Sequence, residues 1–187
     1  MTLWWQALLL CITLSCIQSV PTAVLHSKYL KSYNLTRHAR RQVRQLLIKY
    51  VKELGSENGD RSQHLKGLPS PSIDFYNWLQ LTDRERLATA FSDLQTFRSM
   101  LEWKREELNS TNSQMFLRIE TDLRDLVLQV NSFLRKHYYT HLLKKYRNTT
   151  RLVEGYIILR DLDLYLIKLA RDFRLLLTKT AKSNQNL

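Results

Sequence analysis

With 187 residues, 44% of them hydrophobic, the chain is long enough to fold as one domain around a single core. Its net charge of +12 at pH 7 suggests an acidic partner, namely a sulfated glycan, an acidic receptor face or a membrane surface before nucleic acid; a charge that serves only solubility is the alternative. Only four glycines are present, and no phosphate-cradling, Gly-x-Ser-x-Gly or dinucleotide-binding pattern occurs, so we do not expect an enzyme or a cofactor.

The amino-terminal stretch is predicted to be a secretion signal. It has no charged side chain before residue 25 and is mostly apolar between Leu3 and Ile17, a run too short to span a bilayer comfortably. We predict a signal peptide over residues 1–19, with cleavage as late as residue 23, and a mature secreted domain over residues 20–187. A retained hydrophobic anchor is the alternative.

Both cysteines, Cys11 and Cys16, lie in this leader, so the mature chain would have no disulfide, Cys-based zinc site or thiol nucleophile. Three Asn-x-Ser/Thr sequons, at Asn34, Asn109 and Asn148, fit the secretory route and are candidate N-glycosylation sites.

The first two predicted helices are separated by a long polar connection. Apolar residues at spacings of three and four predict a first helix over about 33–54, which Gly55 can end. Residues 56–81 lack such a period in their first half and contain Pro69 and Pro71, so we predict a connection there. The second helix, over about 82–108, begins with a capping box in Thr82-Asp83-Arg84-Glu85.

The third and fourth helices are predicted over about 114–136 and 151–179. The five polar residues 109–113 make the second and third helices antiparallel, whereas the connections on either side of that pair are long enough to return along a bundle. The predicted fold is therefore all-α: a long-chain four-helix bundle, up-up-down-down, with two long crossover connections.

Three stretches resemble the interleukin-6-type four-helix cytokines, in particular the branch of cardiotrophin-like cytokine, ciliary neurotrophic factor and leukaemia inhibitory factor. They are Tyr33-Asn34-Leu35-Thr36-Arg37; Gly67-Leu68-Pro69 with Trp78 and Leu81-Thr82; and Leu159-Arg160-Asp161-Leu162 with Ala170-Arg171-Asp172-Phe173. The resemblance implies a secreted cytokine that assembles class I cytokine receptor chains of the glycoprotein 130 type and triggers JAK-STAT signalling.

The resemblance also implies two receptor contact regions, one across the first and third helices and one at the start of the last helix. In the ciliary neurotrophic branch the second region carries a Phe and a Lys three residues apart. Thr149 and Leu152 occupy those places here, which argues against contact with the leukaemia inhibitory factor receptor at this point.

Helical spacing predicts two exposed strips on the first and third helices that would form one receptor-binding face. Arginine beside exposed aliphatic residues is typical of the centre of an interface, and a solvated basic surface is the alternative. The first, the α1 strip, comprises Arg37, Arg41, Arg44 and Ile48; the second, the α4 strip, comprises Leu117, Thr121, Arg124 and Leu128.

A third exposed strip, Val153, Ile157 and Leu164, is predicted on the last helix and would carry any receptor contact of that helix. The alternative is that the end of the first crossover, including Trp78, covers it, in which case Trp78 is a packing residue and not a receptor anchor.

The other function considered is a secreted basic helical protein that binds glycans, heparan sulfate among them, or membranes without receptor agonism. The residues that could make those contacts are Arg37, Arg40, Arg41 and Arg44, or else Lys144, Lys145 and Arg147. A metal site is not expected, because His137 and His141 have helical spacing but lack an obvious third ligand.

Overall fold

The computed structural model describes residues 3–54, 62, 64–65, 67–70, 75–107, 112–134 and 151–185, with side chains from residue 22 onward except at a few helix ends. It has five helices in these ranges: α1 (Leu3–Leu54), α2 (Phe75–Gln80), α3 (Asp83–Glu107), α4 (Asn112–Phe133) and α5 (Arg151–Gln185). The described part contains no strand, so the all-α prediction is confirmed.

The helix α1 begins well before the predicted start near residue 33. Its inward row continues upstream through Tyr29, Ser32 and Thr36, all of them buried. The hydroxyl of Thr36 donates to the Ser32 carbonyl, four residues earlier, and that of Ser32 donates to Gln129 Oε1 on α4, so both can be buried at little cost. A pattern that counts only apolar residues therefore places the start of the helix too late in the chain. The predicted signal peptide, residues 1–19, precedes the described side chains.

The four long helices pack as two parallel pairs that run in opposite directions. Contacts join α1 to α4, α1 to α5, α3 to α4 and α3 to α5, which leaves α1–α3 and α4–α5 as the diagonals of the bundle. Early residues of α1 meet late residues of α4 and α5, as in Tyr29–Phe133 and His26–Thr180, and α3 likewise opposes α5, as in Arg86–Asp172. The up-up-down-down prediction is therefore confirmed.

All four long helices contribute to one core, and α5 contributes the most continuous stretch. Its consecutive residues Ile157, Ile158 and Leu159 are fully buried, which requires neighbours on more than one side. At Gly155 the helix comes so close to the Tyr50 ring that a Cβ atom would lie 2.6 Å from Tyr50 Cε1. The short helix α2, which falls in the predicted connection, lies beside α3 and α5 through Trp78.

Candidate functional site

An open groove of about 570 Å³ runs between α1 and α4. Leu35 and Leu128 are its apolar lining residues, and Leu128 is 61% exposed, which is high for a leucine on a packed helix. The polar lining residues are Lys31, Asn34, His38, Asp125 and Gln129. The groove thus combines an accessible aliphatic side chain with a rim of both charges.

One hydrogen bond and one charge contact join α1 to α4 at the groove. Ser32 Oγ donates to Gln129 Oε1 at 2.7 Å, and His38 Nε2 lies 3.8 Å from Asp122 Oδ2. Burial raises the pKa of Asp122, and the charge of His38 opposes that shift. The groove floor is therefore held by side chains of both helices.

The predicted α4 strip lies on the surface. Leu117, Arg124 and Leu128 are exposed, and Thr121 is half-buried, with its hydroxyl donating to the Leu117 carbonyl at 2.8 Å. Of this strip, only Leu128 lines the groove.

The α1 strip is also exposed, and its members span about 60° around the helix, between the side that faces α5 and the side that faces α4. Arg40 pairs with Asp163 of α5, whereas His38 faces α4. At about 100° per residue, Arg37 and Arg44 lie within about 60° of Arg40, and Arg41 lies about 60° from His38. Arg37 and Arg44 therefore turn toward α5. Ile48 and Arg41 occupy the outer edge, and no member of the strip lines the groove.

The predicted exposed strip on α5 is wrong for two of its three residues. Val153 is 5% exposed and Ile157 is fully buried, so neither can meet a receptor, while Leu164 is 44% exposed. The reason is that α5 has α1 and α3 as neighbours and is also reached by crossover residues such as His64 and Trp78. Because neighbours cover α5 on three sides, few side chains near its beginning are exposed.

Trp78 is a packing residue, which decides between the two roles considered for it. Its Nε1 donates to Asp172 Oδ1 at 2.6 Å, and its ring lies between the guanidinium carbons of Arg86 and Arg171, 4.7 and 4.6 Å from the ring centroid. Arg86 Nη1 donates to the same Asp172 oxygen at 2.7 Å, and Nη2 donates to the Trp78 carbonyl at 2.7 Å. This cluster fixes α2 against α3 and α5.

A line of buried charges, which the sequence pattern did not reveal, continues along α5. Asp161 looks solvated in sequence, yet it is only 2% exposed, and it pairs with Arg160 and with His64 Nδ1 at 2.8 Å. Lys168 Nζ lies 4.0 Å from an Asp93 carboxylate oxygen, and burial raises the pKa of Asp93 to about 6. In the sequence, the only indication of these buried charges was the spacing of acidic residues along an otherwise apolar helix.

Several predicted features lie outside the described residues: the sequons at Asn109 and Asn148, Thr149, the side chain of Leu152, both His137 and His141, and the basic residues Lys144, Lys145 and Arg147. The remaining sequon, Asn34, is exposed at the edge of the groove. In the described part of the chain, no helix is both long and apolar enough to cross a membrane.

An up-up-down-down bundle of long helices with crossover connections is the architecture of the long-chain helical cytokines. The family model described as Ciliary neurotrophic factor matches residues 15–155, and the chain belongs to this family. It is therefore a cytokine of the class that binds class I cytokine receptor chains outside the cell. A search of curated proteins found no match.

Proposed function

We propose that the protein is a secreted cytokine that binds a receptor chain of the glycoprotein 130 type through the α1–α4 groove and so triggers JAK-STAT signalling. The observation that supports this is the exposed Leu128 beside Leu35, at the centre of a groove between the two helices for which the family resemblance implies a receptor contact.

The chemistry of the groove suits a protein partner. Interface hot spots combine an apolar centre, which gains free energy when water is excluded, with a polar rim that determines orientation. Leu128 and Leu35 supply the centre, while Lys31, His38 and Asp125 supply donors and acceptors at the rim. The contact would extend over the exposed remainder of the α4 strip and to Arg41 and Ile48 at the outer edge of α1.

A second receptor chain can contact α5 only through the residues of that helix that are exposed. Val153 and Ile157 are buried, and contact with the leukaemia inhibitory factor receptor is not included because Thr149 and Leu152 replace the Phe and Lys of the related branch. Leu164 is exposed on α5, away from the groove, and so provides a matched control.

The test replaces one exposed leucine by arginine in the groove, Leu128→Arg, and one on α5, Leu164→Arg. Binding to a purified glycoprotein 130-type ectodomain is measured, together with phosphorylation of the signal-transducing transcription factors in cells with and without that receptor chain. We expect Leu128→Arg to weaken binding at least about tenfold, as for a hot-spot residue, and Leu164→Arg to change it less than about twofold.

Both variants must first show the parent's helical circular dichroism and thermal midpoint. Absence of a response to the parent protein in either cell type would refute receptor agonism by this receptor chain. Equal losses from the two variants would refute the groove as the contact.

A further inference from the structure

Helix α1 is basic and has a single acidic residue, Glu53, near its end. Residues 1–52 contain eight lysines and arginines and no Asp or Glu. Side chains of one sign along a single helix repel one another unless a neighbouring helix supplies the opposite charge. The net charge of the α1 surface therefore depends on the charged side chains of α4 and α5 that lie beside it.

The carboxylates of α5 are turned away from this surface or already paired. Glu154, Asp161 and Asp172 are buried, where they meet Lys104, Arg160 and Arg86 respectively. The fourth, Asp163, accepts a hydrogen bond of 2.8 Å from Arg40 Nε. In the described part of α5, no carboxylate is left to neutralise the outer arginines of α1.

Three exposed arginines lie on the same side of α1 and α5 as the Arg40–Asp163 pair. Arg37 and Arg44 flank Arg40 on α1, as described above. Arg174 lies eleven residues after Asp163, about three helical turns, and so on the same side of α5. None of the three forms an ion pair with a described residue, and Arg37 lies 5.7 Å from the centroid of the Tyr33 ring. We call Arg37, Arg44 and Arg174 the basic face.

We propose that the basic face binds a sulfated polysaccharide of the heparan sulfate type. Guanidinium groups form paired hydrogen bonds to the oxygens of planar and tetrahedral anions, and a row along two adjacent helices can follow a linear polyanion. An anionic membrane fits less well, because a helix that lies in a bilayer surface inserts its apolar face, and the apolar residues Ala39, Val43 and Leu46 of α1 are fully buried in the core. This binding is independent of the proposed receptor contact in the α1–α4 groove.

The proposal is tested with the mature protein on immobilised heparan sulfate at several salt concentrations. The variant Arg37→Gln/Arg44→Gln/Arg174→Gln is compared with Lys49→Gln/Arg84→Gln/Arg118→Gln, which removes the same charge from exposed residues off the basic face. Each cation beside a polyanion contributes about fivefold, so we expect the first variant to bind about 100-fold more weakly and the control to change less than about threefold. The slope of log K against log salt should also be smaller for the first variant.

Equal losses in both variants would overturn the proposal, because net charge alone would then explain the binding. Unchanged binding to chemically desulfated chains, or stronger binding to phosphatidylserine vesicles than to heparan sulfate, would overturn it as well. Signalling separates this proposal from the receptor contact: on cells that lack heparan sulfate, the basic-face variant should signal like the parent protein, and Leu128→Arg should not.

Discussion

Removal of the Asp172 charge should strongly destabilise the bundle. Asp172 is 2% exposed and accepts hydrogen bonds from both Trp78 Nε1 and Arg86 Nη1. In Asp172→Asn the amide oxygen can still accept from Trp78, but the buried guanidinium of Arg86 loses its counter-charge. An uncompensated charge left by breaking a buried pair costs about 3–5 kcal/mol, so we expect the free energy of unfolding in urea to fall by about that amount.

Two further variants show whether the charge is the cause. Arg86→Met/Asp172→Asn removes both charges of the pair and should regain part of the loss, because no guanidinium without a counter-charge is then left in the interior. Asp83→Asn breaks the exposed pair with Lys179 and should cost less than about 1 kcal/mol. A loss below about 1 kcal/mol in Asp172→Asn, or no recovery in the double variant, would refute this account of the cluster.

Three other variants address single contacts. Burial raises the pKa of Asp93 from a usual value near 3.8 to about 6, so the folded state favours the neutral carboxyl. The free energy of unfolding should therefore increase as the pH falls through 6 and decrease as the pH rises, by up to about 2–3 kcal/mol. In Asp93→Asn, that part of a urea-unfolding pH profile should be flatter. Gly155→Ala would place a methyl group against the Tyr50 ring and should cost about 1–3 kcal/mol, seen as a lower thermal midpoint; an unchanged midpoint would contradict the close approach. Thr82→Ala removes the oxygen that accepts from the Glu85 amide at 3.2 Å and should cost about 1 kcal/mol in chemical denaturation, whereas Thr82→Ser should cost much less.

The features that depend on a short stretch of sequence, such as a capping box or a loop length, were predictable. The capping box begins α3 as expected, since the Thr82 amide donates to Glu85 Oε2 at 2.9 Å in return. Loop lengths were enough to determine the helix directions. The contacts of Trp78 were not predictable, because its partner Asp172 is 94 residues away and no periodic pattern links the two. The same holds for the buried Asp161, whose partner His64 comes from the connection before α2.

Exposure was predictable for α1 and α4 and not for α5, and the topology explains the difference. A helix at a corner of a bundle packs against two neighbours and keeps an outer face, so helical spacing places Ile48 and Leu128 at the surface correctly. In an up-up-down-down bundle the long first crossover must also pass over a helix, and here its residues His64 and Trp78 reach α5. The crossover thereby covers polar positions of α5 that would otherwise be solvated, and the carboxylates there become partners for interior cations. The same arrangement leaves the arginines of the outer α1–α5 side without counter-charges and keeps the α1–α4 groove open, so the two proposed binding surfaces adjoin each other along the outer face of α1.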